Sequence, residues 1–329
     1  MTLRGRAAVM FLALIGANLA AWAWAFVAFR DAPSLLGTSV LAYGLGLRHA
    51  VDADHIAAID NVTRKLVQDG GRPVATGLFF SLGHSTVVFL VSVAAALAAG
   101  SFGTAFASLE AAGGIIGPAV SGSFLLVIAV ANLVALVSMY RAFRRDTGGP
   151  QPALGLIAPL LRRVFGLIDR SWQMYPLGFL FGLGFDTASE VALLSISAVE
   201  ISKGLSLFAA LVFPTLFTMG MSLVDAADGV FMAQAYGWAL VKPARKLLYN
   251  IAITAISAGV ACLVGGAELF GLIGGAFDLK GAFWRCAARL DGGSVALGGG
   301  IIAASAACWI AAAAMYRQRK FPGAAREFD

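Results

Sequence analysis

Charge is scarce in this chain of 329 residues: Lys and Arg number 24, Asp and Glu 18, together 13% of the sequence. Soluble domains carry about 25%. So few charges cannot make a water-facing surface, which excludes a soluble protein. Cysteine is nearly absent. Cys262, Cys286 and Cys308 are odd in number and lack metal-site spacing, which excludes a disulfide framework and a thiolate cluster. Histidine is as rare, with only His49, His55 and His84. Long polar stretches are missing too. The longest, about 141–174, has Gly-Gly-Pro at 148–150, and its second half, around Leu160–Phe165, reads as a short amphipathic helix on the membrane surface. No loop holds a soluble domain. There is no G-x-x-x-x-G-K-S/T, so this chain does not itself hydrolyse ATP.

What is present is apolar: 59% of the residues are hydrophobic, in continuous runs. A bilayer core about 30 Å thick needs roughly 20 apolar residues per helix. Eight stretches qualify: about 7–29, 35–59, 74–98, 119–140, 175–199, 205–238, 246–266 and 294–315. Membrane barrels use alternating segments of about ten residues instead. The expectation is an all-α polytopic membrane protein, one integral-membrane domain over 1–329. The 39 glycines suit close helix packing. Arg4 and Arg6 ahead of an apolar run resemble a signal peptide, but 23 apolar residues exceed an h-region of about 7–15. The first span is therefore expected to be retained.

The net charge of +6 is distributed by side. With the N-terminus inside, 18 of the 24 basic residues fall on the cytoplasmic side, Arg64, Lys65 and Arg72 among them. Arg30, Lys203, Lys280, Arg285 and Arg289 fall on the other side, and Arg48 lies within a span. This bias orients the chain in the cytoplasmic (inner) membrane with both termini inside. The basic excess is thus topological, and no nucleic-acid partner is expected.

A short internal repeat relates the second and third spans to the fifth and sixth. Tyr43-Gly44-Leu45-Gly46-Leu47 is similar to Phe181-Gly182-Leu183-Gly184-Phe185, offset 138 (182 − 44). Phe80-Ser81-Leu82-Gly83-His84-Ser85 is similar to Phe217-Thr218-Met219-Gly220-Met221-Ser222, offset 137 (217 − 80). The copies run in opposite directions, an inverted repeat of the kind that places a transporter site at its interface.

Ionisable groups at bilayer depth cost at least about 2.5–3.5 kcal/mol each and mark sites or pathways. Four segments hold them. In the second span, at about 100° per residue, His49, Asp52 and His55 share one arc of roughly 120°, able to meet one ion. Asp54 points elsewhere, toward a neighbouring helix or because the helix is distorted. Asp60 lies further toward the cytoplasm as a way-station. The third span holds His84, and the fifth Asp186 and Glu190 at i, i+4. Two adjacent carboxylates repel unless a proton or cation lies between them. In the sixth, Met221, Asp225, Asp228 and Met232 form one stripe, the methionines reading as packing. Asn132 reads as a helix–helix hydrogen-bonding group. Structural alternatives are buried ion pairs with Arg48, a packed His84 and a shared proton on Asp186 and Glu190. Only Arg48 opposes seven carboxylates and three histidines, so the interior is a cation pathway. Imidazole with carboxylate suits Ni²⁺, Co²⁺, Zn²⁺ or Mn²⁺ rather than Cu(I).

These segments resemble the nickel/cobalt transporter (nickel–cobalt permease) family. The second-span motif R-H-A-V/F-D-A-D-H-I is matched by Arg48-His49-Ala50-Val51-Asp52-Ala53-Asp54-His55-Ile56. The other signatures resemble Ser81-Leu82-Gly83-His84-Ser85-Thr86, Leu183-Gly184-Phe185-Asp186-Thr187-Ala188-Ser189-Glu190 and Gly220-Met221-Ser222-Leu223-Val224-Asp225-Ala226-Ala227-Asp228-Gly229, with Ala226 replacing the family's usual Thr. The resemblance covers about 35–245. It implies eight helices, import of Ni²⁺ and/or Co²⁺ as transported substrate with no prosthetic group, and metal recognition by His49, Asp52, Asp54 and His55. His84, Asp186, Glu190, Asp225 and Asp228 are expected to complete the site or line the path. Because metal binds neutral imidazole, uptake should fall below about pH 6. Two other readings are an intramembrane metal-dependent hydrolase and a membrane subunit of a larger metal importer. The first lacks an H-E-x-x-H, since Ala50 and Ile56 follow His49 and His55.

Overall fold

The computed structural model describes residues 3–97, 102–145, 168–184, 188–239, 243–292, 295–304 and 306–307. These residues contain helices and no strand. In order they are α1 (Leu3–Ala28), α2 (Pro33–His49), α3 (Ala53–Gln68), α4 (Thr76–Leu97) and α5 (Phe102–Arg145). After a 3₁₀ turn at Ser171–Gln173 come α6 (Met174–Phe181), α7 (Ala188–Ser202), α8 (Leu207–Ala210), α9 (Val212–Ala239), α10 (Pro243–Ala276) and α11 (Ala282–Gly292). A further apolar helix, α12, covers Val295–Ala304. Five segments are long and apolar enough to cross a bilayer: Leu3–Ala28, Thr76–Ala94, Ala111–Val137, Leu207–Gly237 and Thr254–Ala276.

Several expected boundaries are corrected. The stretch 35–59 is not one helix: it breaks at residues 50–52 and its second half runs on to Gln68. The stretch 175–199 is also interrupted: its helix ends at Phe181, and residues 182–184 are not helical. The stretch between the expected spans 74–98 and 119–140 is helical from Phe102, because its alanines favour helix and its glycines cost only about 1 kcal/mol each against packing. Beyond the expected span 246–266, α10 runs on to Ala276 and α11 follows. The amphipathic helix expected near Leu160–Phe165 lies outside the described residues.

α3 is the buried axis of the bundle. Its hydropathy is balanced, yet 13 of its 16 residues are buried, because α4, α5, α9 and α10 pack around it. It ends where Gly70 takes φ 83° and the Gly70 and Gly71 amides bond the Val67 and Leu66 carbonyls, the paired closure of a Schellman turn. α1 is packed into the bundle: Phe29 stacks on Phe213 at 5.5 Å, and Asn18 accepts from the Tyr43 hydroxyl at 3.0 Å.

Two helix pairs are held by glycine against backbone. α2 lies on α9, where a side chain at Gly46 would collide with the Phe217 carbonyl and one at Gly220 with that of Tyr43. α4 lies on α6, where a side chain at Gly178 would collide with the Phe80 carbonyl and one at Gly83 with that of Tyr175. The same residue types meet in the same way in both pairs.

Candidate metal centre

The break in the second span builds the site. α2 ends at His49, and α3 starts from Asp52, whose extended backbone (φ −63°, ψ 144°) turns the chain. An unbroken helix would separate His49 and His55 by about 9 Å along its axis. The turn instead brings their rings to 4.7 Å between centroids. His84 enters from α4, 4.8 Å from each of the other two rings. Three imidazoles thus surround one point, with one nitrogen from each lying within 4.8 Å of the others. Phe217 packs beside His49 and Phe80 beside His55, closing the apolar wall.

Carboxylates complete the ring. Glu190, in the first turn of α7, places Oε1 2.8 Å from His84 Nε2 and 3.8 Å from His49 Nε2. The two Nε2 atoms are 3.0 Å apart. Divalent first-row ions hold nitrogen and oxygen at roughly 2.0–2.2 Å, so neighbouring ligands at right angles sit about 2.9 Å apart. The spacings of 3.0 and 2.8 Å match that edge. Asp52 Oδ2 contacts the other nitrogen of His49, Nδ1, at 3.0 Å. A proton held there leaves the Nε2 lone pair facing the centre. Asp225 Oδ2 lies 3.4 Å from His55 Nδ1.

Burial is nearly complete. His49, His55, His84, Asp52, Glu190 and Asp225 are each at most 3% exposed. Buried polar atoms are normally hydrogen-bonded. Here, among the described residues, neither nitrogen of His55, neither oxygen of Asp225 and not Nδ1 of His84 has a hydrogen-bond partner. A cation bound among them would use those donor atoms.

Of the residues expected from sequence, His49, His55, His84, Asp52, Glu190 and Asp225 meet here. Asp54 is half-buried beside the centre. Asp228 is buried three residues further along α9, and Asp186 lies outside the described residues. Arg48 reaches across the break to Ser189 Oγ at 3.3 Å. Asn132 bonds between helices as expected, donating to Asn61 Oδ1 at 2.7 Å and accepting from Arg64.

Arg64 corrects the charge tally. It is not a loop residue: it is 3% exposed within α3 and donates to Asn132 and, at 3.2 Å, to Thr254. Arg48 is therefore not the only cation within the helical bundle. The i, i+4 spacing of Asp60 and Arg64 was the available signal. Tyr236 and Ser257, both bonded to Asp60, were missed as well. So was Glu268, buried in α10 and accepting from Ser121 Oγ at 2.5 Å. Glu268 lies just beyond the span expected at 246–266, which hid it.

Known proteins resemble the chain along most of its length. The profile of the NicO family, described as "High-affinity nickel-transport protein", matches residues 35–315. The chain is 50% identical over 328 residues to a "High-affinity nickel transport protein" of Cupriavidus necator, covering 97% of this chain and 93% of that one. It is 43% identical over 306 residues to "Nickel transporter NicT" of Mycobacterium tuberculosis (87% and 82%). It is 42% identical over 254 residues to "Cobalt transport protein NhlF" of Rhodococcus rhodochrous (74% and 72%). No solved structure matches.

Proposed function

The chain belongs to the high-affinity nickel-transport family, and from that membership we propose that it is a secondary transporter, not an enzyme, that imports Ni²⁺ and/or Co²⁺ across the cytoplasmic membrane. The transported ion is the substrate, and no prosthetic group is needed. The observation that supports the site assignment most is the meeting of three buried imidazoles, with both nitrogens of His55 and Nδ1 of His84 unbonded among the described residues. His49, His55, His84, Glu190 and Asp225 hold the ion. Asp52 orients His49 by fixing the proton on Nδ1. Asp54, Asp186 and Asp228 line the path.

The single domain crosses the membrane eight times with both termini inside. Five long helices are joined by the two broken spans α2–α3 and α6–α7 and by the α12 segment. The second and third spans repeat as the fifth and sixth in inverted orientation. The matched glycine contacts support this: Phe80 and Phe217 are 137 apart (217 − 80), and so are Gly83 and Gly220 (220 − 83). They favour pairing Tyr43 and Gly46 with Tyr175 and Gly178, an offset of 132 (175 − 43) in place of 138. Discontinuous helices at a repeat interface are a recurring form of ion site.

The test is ⁶³Ni²⁺ uptake by cells expressing His49→Ala. Uptake should fall more than tenfold with normal protein levels in the membrane. Uptake near the unsubstituted level would sink the assignment.

A further inference from the structure

α9 carries a second acidic residue inward of the centre. Asp228 is three residues beyond Asp225, 6% exposed, and neither of its oxygens has a hydrogen-bond partner among the described residues. Asp60, on α3, is tied to α9 through the Tyr236 hydroxyl, eight residues beyond Asp228 (236 − 228), and lies close enough for its charge to act on Asp228. Asp60 is fully engaged: it accepts from the Tyr236 hydroxyl and, at 3.1 Å, from Ser257 Oγ. Arg64, one turn along α3, acts on Asp60 and is held by Asn132 and Thr254.

The cytoplasmic side is close by. Tyr236 packs with Val67 and Met232. Val67, Ala233 and Gly237 line a cavity of about 250 Å³ that also meets Gly70, Arg72 and the start of α1. Tyr236 therefore links the Asp60 carboxylate to the wall of an open cavity.

We propose that Asp228 and Asp60 form a second, oxygen-only cation station on the cytoplasmic side of the histidine centre, closed at rest by Tyr236 on Asp60. This rests on the reading that the histidines take the ion first. A buried carboxylate without a donor is costly, and a dication relieves that cost. Late first-row dications bind imidazole more tightly than carboxylate and hydroxyl oxygen. The fixed charge of Arg64 weakens the second station further. An ion passing from nitrogen ligands to oxygen ligands thus moves from a holding site to a releasing one, as conduction requires. Tyr236 must release Asp60 for both carboxylates to reach the ion.

Co²⁺ binding to the purified full chain in detergent tests this, read by equilibrium dialysis and by the visible d–d bands that imidazole ligation shifts. The unsubstituted chain should bind one tight ion and one at least tenfold weaker. Asp228→Asn should lose the weak ion while keeping the tight ion and its spectrum, and its Co²⁺ influx into proteoliposomes should fall at least tenfold. His49→Ala should lose the tight ion and keep the weak one. If Asp228→Asn does not fold, Asp60→Asn is read the same way. A single ion on the unsubstituted chain, two ions on Asp228→Asn, or loss of the tight ion with Asp228→Asn overturns the second station. Retention of the tight ion and its spectrum by His49→Ala overturns the histidine reading instead.

Discussion

At the residue scale, the centre distinguishes groups that face the ion from groups that prepare them. Asp52 touches the outer nitrogen of His49, while Glu190 touches the inner nitrogen of His84. Outer carboxylate partners of metal-bound histidines typically contribute 10–100-fold in affinity. Asp52→Asn should therefore raise the half-saturating Ni²⁺ concentration for uptake by about 10–100-fold while the protein stays folded. An unchanged value would remove Asp52 from the site. His49, Asp52 and His55 were legible as one arc of a helix, although the structure unites them through a turn. Glu190 joining His84 was not legible, since 106 residues separate them and only the approach of α7 to α4 brings them to 2.8 Å. Arg64 was misread because a basic residue after a hydrophobic run normally marks the end of a span. Here two polar partners on other helices, Asn132 and Thr254, keep it inside.

At the element scale, the site depends on two interrupted helices clamped against two continuous ones. α2 rests on α9 and α6 rests on α4, each at glycine positions with no room for a methyl group. Overpacking such a contact costs about 1–3 kcal/mol or more. Gly46→Ala or Gly178→Ala should lower the thermal unfolding temperature in detergent. Either should also weaken Ni²⁺ binding, because each shifts a histidine-bearing helix against its neighbour. Gly16→Ala, in open space on α1, is the control that should do neither. The glycine motifs announced close packing from sequence, but not the register. The Gly-x-Gly spelling pairs Tyr43 with Phe181, and the glycine contacts favour Tyr175 as its counterpart in the proposed repeat.

At the scale of the whole molecule, the proposed topology places α11 outside and the chain termini inside. Cys286 is exposed on α11. In a chain carrying Cys262→Ala and Cys308→Ala, a membrane-impermeant maleimide added to intact cells should label Cys286. Labelling only after the membrane is opened would reverse the orientation. Two charges moving down a 100 mV potential gain about 4.6 kcal/mol, roughly a 2,000-fold accumulation. An inside-negative potassium diffusion potential imposed on proteoliposomes should accordingly drive Ni²⁺ inward. No response would require another coupling. Sequence by itself determined the solvent, since 13% charge and runs of 20 apolar residues admit only the bilayer. It also determined the chemistry, because histidine and carboxylate at membrane depth have few purposes other than a cation. Tertiary structure alone decided which of those groups meet. Helical periodicity orders residues along one element, but a binding site is closed by side chains from several. Their distances depend on where a helix breaks and how closely glycine lets its neighbours approach.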